Sequence, residues 1–388
     1  MHLLAACSLG GAGHLNPLAP FLTAARRRGE EVLVVAPPEM REMVEGLGLP
    51  FFPGAQPPEE EVAPIRELLP VVPRQEASIL ASRELFGRLA TRAMLPKMDE
   101  AFAEYRPDVV LRDPCEYSSA IVASRREIRV AQVAISLAEL EAAAIAAAAP
   151  ALGEQQEGLA EDLLGAPYLS RFPTSLDPST FPVTVRFREA GASTLSPLPD
   201  WWNGSDAPLV YLTFGTVLGH MSIALEVYRA ALEAMRGLEA RVLLTVGRKL
   251  DPSGLGQVPS NVHVEQWVDQ ARVMGEADVV VCHGGSGTVL GALAAGVPLV
   301  MVPLFADQFD NARRIAATGA GTSVEVETEE PMGRHRQLSR DDAPRISEQV
   351  REVLSDSTYR DQARLIAEEM GSAPTVDAVL GDLLLVKP

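Results

Sequence analysis

Short apolar runs alternate with amphipathic stretches along the whole chain. In the first half, Leu3–Cys7, Val32–Ala36, Val109–Leu111 and Val130–Ile135 read as strands, and Leu18–Arg28 reads as a helix with apolar residues at helical spacing. In the second half the strand-like runs are Leu209–Phe214, Arg241–Val246, Val279–Cys282, Leu299–Val302 and Thr322–Val326. Helical patterns lie near Ile223–Met235, Thr288–Ala295 and Gln308–Thr318. Strands alternating with helices predict right-handed βαβ units and parallel sheets. Two such series predict an α/β protein of two Rossmann-like, doubly wound domains.

The seam is compositional. After the extended Val183–Phe187, the stretch from Gly191 to Gly204 is rich in Pro, Gly and Ser and continues neither periodicity. The expected organisation is a first domain over 1–190, a linker over 191–206 and a second domain over 207–388. The closing amphipathic segment, about 373–386, is free to pack back on the first domain. Ala138–Ala149 reads as an Ala-rich helix too short to span a bilayer. Val279–Ala306 lacks Asp, Glu, Lys and Arg, but Gly284, Gly285, Pro298 and Pro303 break it into the buried strands and helix of an α/β interior.

Composition narrows the partners. The 388 residues, 47% hydrophobic, suffice for two cores, and 34 Lys+Arg against 52 Asp+Glu leave a net charge of −18. A field of that sign repels phosphate backbones and anionic lipid, so no nucleic-acid partner and no integral membrane association are expected. Cys7, Cys115 and Cys282 lie far apart with no CxxC pair, which argues against a disulfide framework or a zinc ribbon. The start shows no basic-then-apolar leader pattern, and a cytoplasmic setting is expected.

Two glycine loops follow predicted strands. The first, Ser8 to Pro17, lacks the third glycine of a dinucleotide fingerprint and the Gly-Lys-Ser/Thr of a Walker loop. It presents one titratable group, His14. A neutral imidazole is suited to take a proton from a hydroxyl, above all when a carboxylate holds its other nitrogen. Asp108 and Asp113 bracket Val109–Leu111, and Asp113, at the carboxyl end, is preferred as that carboxylate. The competing readings are that His14 packs on the following helix and that Asp113 caps a helix starting near Glu116 and Tyr117.

The second loop, His283-Gly284-Gly285-Ser286-Gly287-Thr288, feeds a helix. Amides at such a start form an anion site without Lys or Arg, with His283 and the hydroxyls of Ser286 and Thr288 as further donors. Asp307 and Gln308 suit sugar hydroxyls, although Asp307 is equally placed to cap the next helix. Trp267, beside Val268, suits a base, although a lone Trp there is more often core.

The ordered series Trp267-Val268-Asp269-Gln270, His283-x-Gly285-x-x-Thr288, Gly296-Val297-Pro298, Pro303 and Asp307-Gln308-x-x-Asn311-Ala312 resembles the donor-site signature of family 1 glycosyltransferases of GT-B fold. Tyr211 to Thr216 resembles that family's loop near the diphosphate, and Gly11-x-Gly13-His14-x-x-Pro17 its base-bearing loop. The resemblance implies a metal-independent, cofactor-free enzyme that passes a sugar, with inversion, from a nucleotide diphosphate to a small-molecule hydroxyl. His14 and Asp113 are then catalytic. Thr216, Trp267, Val268, His283, Gly285, Ser286, Gly287, Thr288, Asp307 and Gln308 hold the donor, in a cleft between the domains.

Two departures matter. The plant pattern carries a Glu that grips the ribose, where this chain has Gly291; in bacterial antibiotic-tailoring members that gap goes with thymidine-diphosphate deoxysugars. A dTDP-sugar donor and a hydrophobic natural-product aglycone are therefore expected, with a homodimer as a further expectation. Asp269 replaces a Pro without an evident reason. For the acceptor, Ile65, Leu68, Leu69, Ile79, Leu80, Phe86, Met94, Tyr168 and Phe172 are apolar enough to line a pocket, but core packing explains the same spacing. The rival readings are a sugar-nucleotide epimerase and a catalytically inactive accessory protein.

Overall fold

Strand β1 (His2–Ala6) alternates its side chains between two apolar faces. Leu3 and Ala5 join a cluster with Leu22, Val34 and Leu380, while Leu4 and Ala6 join one with Met98, Phe102 and Val122. Burial on both sides is why the strand reads as an unbroken apolar run. The computed structural model describes residues 1–9, 11–189, 197–324, 328–329, 334–335 and 338–385. The expected linker positions 191–196, the strand positions 325–326 and the helix position 386 lie outside the described residues.

The chain forms two units, Met1–Ala190 with Ala373–Pro388, and Gly191–Ser372. In the first, β1 is joined by β2 (Glu31–Ala36), β3 (Phe51–Pro53), β4 (Val109–Arg112), β5 (Arg129–Val133), β6 (Tyr168–Ser170) and β7 (Thr184–Arg186). They form one parallel sheet in the order β3-β2-β1-β4-β5-β6-β7. The closing helix Val376–Leu385 buries Val376, Val379 and Leu380 in the cluster that holds Phe21, and Arg27 pairs with Asp377 at 2.7 Å. The last helix thus belongs to the first unit, and the second ends at Ser372. The Ala-rich helix Ala138–Gly153 lies against the helical stretch Ala81–Ala90, where a Cβ on Gly87 would meet the Ala148 Cβ at 3.0 Å. Small residues permit that approach.

The second unit holds β8 (Leu209–Thr213), β9 (Arg241–Thr245), β10 (Val262–Glu265), β11 (Val279–Cys282), β12 (Leu299–Met301) and β13 (Gly321–Ser323). Their order is β10-β9-β8-β11-β12-β13, again parallel. Val279–Ala306 resolves into β11, the helix Ser286–Ala294 and β12, and no described helix is long and apolar enough to cross a membrane.

Both sheets reverse their winding once, between β1 and β4 in the first and between β8 and β11 in the second. Open α/β sheets bind ligands beyond the carboxyl ends of the strands at such reversals. Both glycine loops emerge there.

Candidate active site

In the first unit the chain leaves β1 through Cys7 and Ser8, turns at Gly11 with φ of +73°, and enters the short helix Ala12–Leu15. A positive φ there favours glycine. His14 sits on this helix. Across the reversal, Asp113 follows β4, its amide bound to the Ala6 carbonyl at 3.1 Å and its side chain fully buried. One oxygen, Oδ2, accepts the Ser8 amide at 2.6 Å. The other, Oδ1, accepts the Cys115 amide at 2.7 Å and lies 3.0 Å from His14 Nδ1. With Nδ1 donating to the carboxylate, the network leaves the lone pair on Nε2.

Arg112, just before it, is also fully buried; it donates to Gln132 Oε1 and the Pro114 carbonyl, both at 2.8 Å, and to the Glu116 carbonyl. Those bonds fix the turn that carries Asp113. The capping role considered for Asp113 falls to Glu116, whose carboxylate accepts the Ser119 amide at 3.1 Å and both the Ser118 and Ser119 hydroxyls. Burial pushes the Glu116 carboxyl up, against the pull of Arg112. Asp108 lies at the opposite end of β4, accepting the His2 amide at 2.7 Å, and takes no part.

The acceptor-side residues divide. Tyr168 and Phe172 are core, and Met94 is buried. Leu68 and Ile79 are not core, at 47% and 43% exposure, which corrects the packing explanation for them. Phe86 stands 6.1 Å from the His14 ring, centroid to centroid. A small cavity nearby is lined by Ser8, Leu9, Thr91, Met94, Glu116 and Tyr117 among others.

In the second unit, His283 follows β11 in a loop shaped by glycine. A Cβ on Gly215 would come within 2.9 Å of the His283 ring, one on Gly285 would collide with its Nε2, and one on Gly284, at φ +86°, would lie 2.9 Å from the Gln308 carbonyl. The imidazole therefore occupies space that Gly215 and Gly285 leave, while Gly284 lets the loop pass close to the Gln308 backbone. Burial pushes it down to about 4, so it is neutral at pH 7, and its Nδ1 has no partner among the described residues.

The helix Ser286–Ala294 starts from Gly285 without a side-chain cap, leaving the first-turn amides, those of Gly287 and Thr288 included, without intrahelical acceptors. Ser286 Oγ donates to Asp307 Oδ2 at 3.2 Å. Buried Asn311 ties the corner, its Nδ2 donating to the Gly284 carbonyl at 2.9 Å and to Ser286 Oγ at 3.2 Å. Asp307 occupies the N-cap position of Gln308–Thr318 without a side-chain cap bond. Gln308 is mostly committed: its Oε1 accepts the Leu304 and Phe305 amides at 2.9 and 3.0 Å.

Trp267 is 54% exposed beyond β10, under the Arg248 guanidinium at 4.5 Å, so the core reading of it fails. Val268 beside it is half-buried, and Thr216, after β8, is exposed. Asp269 now has a reason: it caps Gln270–Met274 by accepting the Ala271 amide at 3.1 Å. The next residue, Gln270, donates to Thr288 Oγ1 at 3.2 Å and links the Trp267 segment to the helix start. Arg112, Glu116, Gln270 and Asn311 were not singled out as site residues from sequence. Of these, Gln270 and Asn311 stand inside the donor-loop signature, a signal that could have found them.

Comparison with known proteins places the chain in a family. Residues 229–386 match the family described as the C-terminal domain of erythromycin biosynthesis protein CIII-like proteins. Over 384 residues the chain is 30% identical to the elloramycin glycosyltransferase of Streptomyces olivaceus, covering 93% of this chain and 91% of that one. The chain belongs to the antibiotic glycosyltransferases. This glycosyltransferase is also 29% identical to the L-demethylnoviosyl transferase of Streptomyces niveus, over 95% of this chain and 94% of the relative. Its fold is GT-B: it is similar to the Streptomyces sp. SF2575 glycosyltransferase SsfS6, solved in complex with thymidine diphosphate, with a TM-score of 0.74, 26% identity and full coverage of both chains. The named relatives are transferases, which sets the epimerase and the inactive accessory protein aside.

Proposed function

We propose that this glycosyltransferase moves a deoxysugar from a dTDP-sugar to a hydroxyl of an apolar aglycone, with inversion and without a metal. The observation that carries the reading is the His14–Asp113 pair, 3.0 Å apart at the sheet reversal where a ligand is expected. Asp113 holds the tautomer, and Nε2 takes the proton as the acceptor oxygen bonds to the anomeric carbon. The bond from that carbon to the diphosphate oxygen breaks, and dTDP departs. A single in-line attack inverts the centre.

In the second unit the leaving diphosphate meets neutral donors: His283, the amides of Gly287 and Thr288, and the Thr216 hydroxyl. Fixed dipoles aimed at developing charge are the larger contribution, while base catalysis adds about 10²–10⁴-fold. The absence of a basic side chain from this set agrees with an acidic protein, because helix-start amides attract locally. Trp267 supplies a face for the base, and Asp307 with the Gln308 Nε2 supplies partners for sugar hydroxyls. Gly291 offers no side chain to a ribose 2′-hydroxyl, which favours the deoxyribose of dTDP. Phe86 beside His14 favours an acceptor with an apolar ring system.

Titration calorimetry with dTDP and UDP, followed by incubation of dTDP-sugars with aglycone mixtures and NMR of the product's anomeric centre, tests the reading. Tighter dTDP binding and an inverted product are expected, unchanged by EDTA. Equal UDP binding overturns the donor, and a retained configuration overturns the mechanism.

A further inference from the structure

The Cys115 thiol has no part in the reaction above, which uses only the backbone amide of that residue, yet it stands beside His14 and Asp113. One ligand atom each from His14, Asp113 and Cys115 lies within 4.8 Å of the others. We propose that these three side chains form a zinc site whose occupation switches the transferase off.

The donor set is the first argument. An imidazole nitrogen, a carboxylate oxygen and a thiolate are the three ligand types zinc prefers, and three protein ligands with a fourth position left for water make an open tetrahedral site. Zinc–ligand bonds of roughly 2.0–2.3 Å place the ligand atoms of one ion less than about 4 Å apart, within reach of small side-chain rotations from the present positions.

Pre-organisation is the second. Asp113 is fully buried and held by the amides of Ser8 and Cys115, so one ligand is already fixed. His14 keeps 13% side-chain exposure and Cys115 is half-buried, which leaves a path for an ion from solvent. A net charge of −18 attracts cations to the protein as a whole.

Binding releases the thiol proton of Cys115 and leaves a thiolate on the metal; no electron moves. Inhibition rests on the base role proposed for His14. If Nε2 ligates, its lone pair is occupied. If Nδ1 ligates, the proton moves to Nε2, and neither nitrogen can accept one from an acceptor hydroxyl.

The test uses the full-length enzyme, zinc chloride and calorimetry alongside turnover. Wild type should bind one zinc ion and lose activity as it fills. Cys115→Ser and Cys115→Ala keep the backbone amide that Asp113 needs; both should retain metal-free turnover and bind zinc more than about tenfold more weakly. Cobalt(II) in the wild type should give a thiolate charge-transfer band that both variants lack. His263→Gln, which removes the imidazole 2.8 Å from Glu265, is the control and should bind zinc as wild type does. Unchanged zinc affinity in both Cys115 variants overturns the site. Zinc that binds through Cys115 without slowing turnover overturns the switch and, separately, the assignment of His14 as base.

Discussion

His14 and Asp113 meet across the gap between β1 and β4, Nδ1 to Oδ1 at 3.0 Å, although 99 residues separate them in the chain. Asp113 is held by two backbone amides and sits next to Arg112, whose bonds to the Pro114 and Glu116 carbonyls stiffen its turn. The carboxylate can therefore hold the ring without moving itself.

His14→Ala should lower kcat by about 10²–10⁴-fold while dTDP affinity stays within experimental error, because the proposed base acts on the acceptor and not on the nucleotide. Asp113→Asn should lower kcat in the same direction, since an amide nitrogen facing Nδ1 favours the wrong tautomer. Steady-state kinetics with calorimetry checks both. Near-normal turnover in His14→Ala overturns the base.

His283 should give the fold an acid-side weakness. Burial holds the imidazole at about 4 in the native state against an ordinary 6.5. Between those values the unfolded chain binds the proton that the folded chain refuses. Its effect is absent above about pH 6.5, and stability falls as pH drops towards 4, by up to about 2 kcal/mol from pH 7 to 5. Urea midpoints at the two pH values should converge in His283→Gln. A dTDP-sugar, whose diphosphate has no oxygen titrating in that range, should bind wild type more tightly at pH 5 than at pH 7, because the anion favours the imidazolium; His283→Gln should lose that dependence.

The sequence displays what is buried on both faces of a sheet and hides what depends on distant partners. β1, β8 and β11 are legible because they are apolar apart from His2 at the start of β1 and Thr213 at the end of β8. β3 and β6 have three residues each, too few for a period, and β3 carries Pro53 at the sheet edge, where a missing amide is tolerated. His14 and the 283–288 loop were legible as strand-to-helix turns rich in glycine. Arg112 was not: a charged residue at the end of an apolar strand reads as exposed, and only Gln132 and two carbonyls from the next turn make its burial possible. The reason for Asp269 likewise lies in the Ala271 amide it caps, and the commitment of the Gln308 oxygen in the tight turn at Leu304 and Phe305.

The glycines of the second loop should separate by function. At Gly285 a methyl group would collide with the His283 ring, so Gly285→Ala should displace the imidazole, weaken dTDP binding and cost about 1–3 kcal/mol of stability. At Gly287 a methyl group meets nothing within 4 Å, and φ is negative, so Gly287→Ala should leave stability unchanged or raise it by up to about 1 kcal/mol. Donor affinity should still fall there if phosphate approaches the backbone. Urea melts with dTDP titrations distinguish the two; intact donor binding in Gly287→Ala would place the diphosphate elsewhere.

Gly291 borders the Met274 side chain on the neighbouring helix. A Cβ there would lie 2.8 Å from the Met274 sulfur, near the flexible end of that side chain, so the thioether has to move aside to admit one. Gly291→Glu alone should therefore displace Met274 and mix a packing effect with any change in nucleotide choice. Paired with Met274→Ala, which removes the obstructing thioether, the carboxylate gains room and a partner becomes available for a 2′-hydroxyl. The double variant should shift the UDP-to-dTDP affinity ratio towards UDP by about tenfold, the order expected for one hydrogen bond to a charged group. If the pair folds and the ratio does not move, residue 291 does not face the ribose.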